Sequence, residues 1–182
     1  MIDDQEAPDL HLHSPYEQSF PEFAKAIDAR EDSFLEEVLP GATEDEIRKL
    51  EADLGLVLPD SYKDLLRCAR GFWLFEGAIQ LSTIHPFYHD FPPLSALNKT
   101  QLDSVKRMGG VWPPPTKGML CFAEYCVEDE GDQVLWDVTK PANGEYHIYY
   151  YAHSAEPPSI RKIADKFEEF ISTMLDRIDL SD

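Results

Sequence analysis

The sequence is short of three things: long apolar runs, cysteines and basic side chains. No run of about 20 apolar residues is present, so no helix is predicted to span a bilayer. The three cysteines are scattered and odd in number, so no disulfide framework is predicted. The first ten residues, MIDDQEAPDL, are acidic, whereas a signal peptide begins with basic residues followed by an apolar stretch. These absences predict a cytoplasmic protein.

Acidic residues outnumber basic residues by 35 to 16, which gives a formal net charge of -19. Residues 1–40 hold eleven acidic and two basic residues (-9), and residues 121–160 hold eight and one (-7). Binding to nucleic acid or to an anionic membrane needs clustered Lys and Arg, so neither partner is predicted. The charge instead favours association with a basic protein, although solubility alone also accounts for an acidic composition.

Two short helices are predicted between residues 43 and 71. Thr43 and Glu46 form a capping-box pattern, in which each side chain accepts a hydrogen bond from the other residue's backbone amide. Gly55 supplies a left-handed end for this helix. Pro59 is suited to the first turn of a second helix, and Gly71 is predicted to end it.

The rest of the chain contains strand-like runs joined by short turns, which predicts a mainly antiparallel sheet flanked by helices, an α+β fold. Residues 1–40 are predicted to form an acidic extension with a helix, and residues 41–182 to form the domain. The predicted elements after residue 71 are a hairpin or bulged strand at 72–81, a helix at 95–108, strands at 117–127, 132–138 and 144–153, and a final helix at 159–178.

The stretch GDQVLWDV at 131–138 has two aspartates, which form either a catalytic or metal-binding pair or the two ends of a strand. Asp132 and Asp137 are five residues apart, so on a strand they face opposite sides and lie about 16 Å apart. A two-carboxylate active site or a shared metal needs a much shorter separation. The strand interpretation is favoured, with Val134 and Trp136 on one face and Leu135 on the other.

Other residues with catalytic or metal-binding potential lack the expected spacing. His85 and His89 are separated by three residues, but a proline follows the first histidine and disfavours a helix that presents both. Cys121 and Cys126 lack a second cysteine pair. Cys68 is either an activated thiolate or a small buried apolar residue, and the second interpretation is favoured. No catalytic residue, metal or cofactor is predicted.

Aromatic residues offer a second type of candidate site. Trp73, Trp112 and Trp136, together with Tyr149–Tyr151, are suited either to a protein interface or to a core. On a strand, Tyr150 points away from the face shared by Tyr149 and Tyr151.

The order of these motifs resembles the SUKH superfamily, which contains bacterial immunity proteins and fungal cell-wall-assembly regulators. The resemblance covers about residues 40–178. One departure is Arg70, where members commonly have Asn before the glycine that follows the second helix. The residues that carry the resemblance are ATEDEI at 42–47, LG at 54–55, LPDSY at 58–62, LL at 65–66, Gly71, GDQVLWDV at 131–138 and FEEF at 167–170.

The resemblance implies an α+β domain without catalysis of its own, and many members bind and neutralise a cognate toxin, often a nuclease. We therefore expect an immunity protein that contacts a basic toxin surface through Glu128, Asp129, Glu130 and Asp132 at a predicted hairpin tip. A solvated turn without a partner is the alternative for these four acids. The alternative function is a regulatory scaffold similar to the fungal members, and an enzyme or metal protein is the third class.

Overall fold

A computed structural model describes residues 38–72, 79–81, 118–125, 132–152 and 155–177, together with Pro21, Ile84 and Leu94. Over these residues the chain forms three helices and seven strands, as the α+β prediction requires. No helix in this part of the chain is long and apolar enough to cross a membrane. The elements are β1 (Val38–Pro40), α1 (Glu44–Leu54), α2 (Asp60–Cys68), β2 (Ala69–Phe72), β3 (Ile79–Leu81), β4 (Met119–Tyr125), β5 (Asp132–Asp137), β6 (Ile148–Ala152), β7 (Ser159–Ala164) and α3 (Phe167–Arg177).

Helix α1 begins and ends as its sequence predicts. The Thr43 hydroxyl accepts from the amide of Glu46 at 3.3 Å, and the Glu46 carboxylate accepts from the amide of Thr43 at 2.9 Å. Gly55 follows the helix with a φ of 68°, the left-handed conformation that glycine adopts without a steric penalty. Ile47 and Leu50 are the buried residues of this helix and attach it to the core.

Helix α2 ends three residues before the predicted stop. The helix finishes at Cys68, and residues 69–72 form strand β2, which pairs antiparallel with β1. Gly71 therefore lies within a strand, opposite Leu39, and the prediction that it ends the helix is wrong. Residues 69–72 pair with β1, which lies about 30 residues earlier in the chain, and this long-range pairing overrides their local preference for helix.

Strands β3 to β7 form an antiparallel five-stranded sheet in sequential order within the described residues. Strand β4 contains a bulge, because Cys121 lies opposite Leu135 whereas Ala123 lies opposite Val134, leaving Phe122 as the extra residue. The strands β4, β5 and β6 confirm three of the predicted strand regions. Most of the helix predicted within residues 1–40, and all of the helix predicted at 95–108, lie outside the described residues.

One face of this sheet packs against the helices through a cluster of aromatic rings. Phe122 stacks on Trp136 with 4.0 Å between ring centroids, and Tyr62 of α2 meets Trp136 edge-on at 4.9 Å. Phe167 of α3 lies 5.1 Å from Tyr62, also edge-on. The edge-on contacts add to the stability gained from burying the rings. This cluster fixes α2 and α3 on the sheet.

The opposite face of the sheet also carries buried side chains. Cys121, Leu135 and Tyr151 form a separate buried cluster there, with Tyr149 packed beside them. Tyr150 belongs instead to the core under the helices, so the predicted alternation of the three tyrosines is confirmed. Strand β5 is buried along its whole length because both of its faces are covered.

The start of the predicted final helix is wrong. Residues 159–164 form strand β7, which pairs with β6, and α3 begins only at Phe167. β7 is an outer strand of the described sheet, and its first four residues are exposed. Polar exposed residues are typical of edge strands, but they remove the apolar alternation by which a strand is recognised in a sequence. Ile163 and Phe167 have helical spacing, which explains the error.

Candidate partner-binding site

The predicted contact residues belong to the connection between β4 and β5. Tyr125 and Asp132 are Cα partners at the end of this strand pair, so residues 126–131 join two adjacent strand ends. The β6–β7 pair also reaches its connection at this end of the sheet, where Ala152 lies opposite Ser159. Glu128, Asp129 and Glu130 themselves lie outside the described residues.

Asp132 is a buried residue rather than a surface residue. Only 1% of it is exposed, and one of its carboxylate oxygens accepts a hydrogen bond from the hydroxyl of Tyr150. The guanidinium carbon of Arg161 lies 4.5 Å from the centroid of the Tyr150 ring, within the range of a cation–π contact. This burial removes Asp132 from the contact surface expected from the sequence.

Asp137 has a separate structural role at the other end of β5. Its Oδ1 accepts from the backbone amide of Thr139 at 3.0 Å and also from the Thr139 hydroxyl. These bonds stabilise the turn that follows the strand. Asp132 is two residues from Val134, so its side chain lies on the helix-covered face of the sheet. Asp137 is two residues from Leu135 and lies on the opposite face. The two aspartates therefore do not form a shared site.

Glu145 connects the far end of the sheet to two helices. Its Oε1 accepts from the amide of Ser61 at 2.8 Å, and its Oε2 accepts from the Ser61 hydroxyl at 2.8 Å. Oε2 also lies 3.4 Å from the amide of Phe167, which donates to it. One carboxylate thus accepts hydrogen bonds at the N-terminal turns of α2 and α3, where negative charge is stabilised.

A tight turn places Glu145 between those helices. Ala142 and Glu145 exchange backbone hydrogen bonds, and Asn143 and Gly144 have φ values of 52° and 80°. Asn-Gly is the preferred pair for a turn with two left-handed residues. This dipeptide was the available sequence signal for the turn, but nothing in the sequence indicates that Glu145 reaches Ser61.

Residues 41–173 match the SMI1/KNR4 family (SUKH-1). The chain belongs to this family. The matched region begins just before the capped helix α1 and ends within α3, so it contains α1, α2, the first part of α3 and the whole five-stranded sheet. A comparison with curated proteins found no match.

The helical surface of this SUKH-1 domain has acidic and basic side chains in close pairs. Arg67 of α2 joins the two helices, with its Nε 2.6 Å from Glu44 Oε1 and its Nη1 2.7 Å from Asp64 Oδ1. The hydrogen bond from Arg67 lowers the pKa of Glu44 below its ordinary value. Exposed pairs of this kind contribute little to stability, but they balance the charge of the helical surface locally.

The two cysteines of the SUKH-1 domain that the structure describes, Cys68 and Cys121, are free thiols. Burial raises the pKa of Cys68 to about 11, and burial also raises the pKa of Cys121 well above its ordinary value. Within the described ranges no three His, Cys, Asp or Glu residues cluster as metal ligands. His85, His89 and Cys126 lie outside those ranges.

The candidate interface aromatics are mainly core residues. Trp136 is fully buried, and Tyr150 and Tyr151 are buried on opposite faces of the sheet. Tyr149 is half-buried. Trp73 and Trp112 lie outside the described residues. The described aromatic side chains therefore hold the SUKH-1 domain together and do not form an exposed aromatic patch.

Proposed function

We propose that this chain is a non-enzymatic immunity protein that binds and neutralises a cognate toxin with a basic surface, such as a nuclease. The observation that carries the proposal is the concentration of Glu128, Asp129 and Glu130 in the short connection between two paired strands. Membership of SUKH-1 and a formal net charge of -19 support the same function. Because Asp132 is buried, the proposed contact surface consists of the other three acids.

The proposed mechanism is electrostatic occlusion. A nuclease must present cationic side chains to the phosphates of its substrate. A strongly negative protein is attracted to the same field, which accelerates association and favours docking over or beside the substrate site. The toxin would be met in the cytoplasm, and no bond-making step by the SUKH-1 chain is needed.

The test asks first whether a toxin gene lies beside the gene for this chain, as an immunity role predicts and a lone gene would contradict, and then uses its product with the toxin's own active site inactivated. The test variant replaces Glu128, Asp129 and Glu130 by Lys, and we expect association to slow by about tenfold or more. The dependence of affinity on salt should also become shallower, because fewer opposite charges meet across the interface.

A matched control reverses three exposed acids on the first two helices, Asp45, Asp53 and Asp64, and so makes the same change in net charge. A loss of the same size in both variants would assign binding to overall charge and not to the β4–β5 connection. Unchanged affinity in the test variant would refute the proposed surface. Binding to a host protein with no affinity for the toxin would favour the regulatory scaffold, and turnover of a substrate by the isolated chain would refute a non-enzymatic role.

A further inference from the structure

We draw no further inference here: the strongest candidate, the apolar face of the sheet opposite the helices, where Cys121, Leu135 and Tyr151 are buried, carries no proposal because nothing in the described part of the structure shows what covers it.

Discussion

Replacing Glu145 should destabilise the protein more than replacing any carboxylate that caps a single helix. Glu145 accepts two hydrogen bonds of 2.8 Å from Ser61 and a longer one from Phe167, at the N-termini of two helices. A hydrogen bond to a charged group contributes about 1.5–3 kcal/mol, but water replaces part of it at a partly exposed site. We therefore expect Glu145→Ala to lower the free energy of unfolding by about 3 kcal/mol.

Urea unfolding followed by far-ultraviolet circular dichroism measures this loss, and the melting temperature should fall by about 6–12 °C. Glu145→Gln retains an acceptor oxygen without the charge and should lose only about 1–2 kcal/mol. The control is Glu46→Ala, which removes one side of the capping box of α1 and should cost about 1 kcal/mol. If Glu145→Ala costs no more than Glu46→Ala, the carboxylate does not stabilise both helices.

Two further predictions concern close backbone packing and thiol reactivity. Gly41→Ala should destabilise more than Gly55→Ala, because a Cβ on Gly41 would overlap the backbone oxygen of Arg67, which cannot move aside as a side-chain tip can, whereas a Cβ on Gly55 meets no atom within 4 Å. Thermal melts of the two variants test this order, and equal losses would contradict it. Alkylation of Cys68, followed by mass spectrometry, should still accelerate between pH 9 and pH 10 because its pKa is raised to about 11. An alkylation rate that stops rising near pH 9 would mean that burial does not raise the pKa of this thiol.

Local interactions explain why the helical start of the domain was predictable. The partners in the capping box, Thr43 and Glu46, are three residues apart, and Gly55 ends the same helix. The strand assignment of GDQVLWDV was also correct, because an apolar run of this length between a glycine and a turn is typical of a buried strand. The faces of Val134, Leu135 and Trp136 then follow from the geometry of any strand.

Long-range pairing explains what the sequence could not show. Glu145 and Ser61 are 84 residues apart, so no local pattern indicates their contact. The burial of Asp132 depends on which strand pairs with β5, because only that pairing brings the Tyr150 hydroxyl to the carboxylate. Strand β7 could not be recognised in the sequence for a related reason. Its exposed residues show no apolar alternation, and they form a strand because they pair with β6.

The extra residue in β4, Phe122, determines which face of the sheet carries the Glu124 carboxylate. Before the bulge Leu120 points to the helices, but beyond it Ala123 does so, and Glu124 pairs with Gln133 on the other face. A strand of regular alternation would carry Glu124 inward with Leu120, among the stacked rings of Trp136 and its neighbours. A carboxylate without a partner is costly in such a place. The extra residue Phe122 thus places the Glu124 side chain on the face opposite the aromatic cluster, although Glu124 follows Phe122 by only two positions.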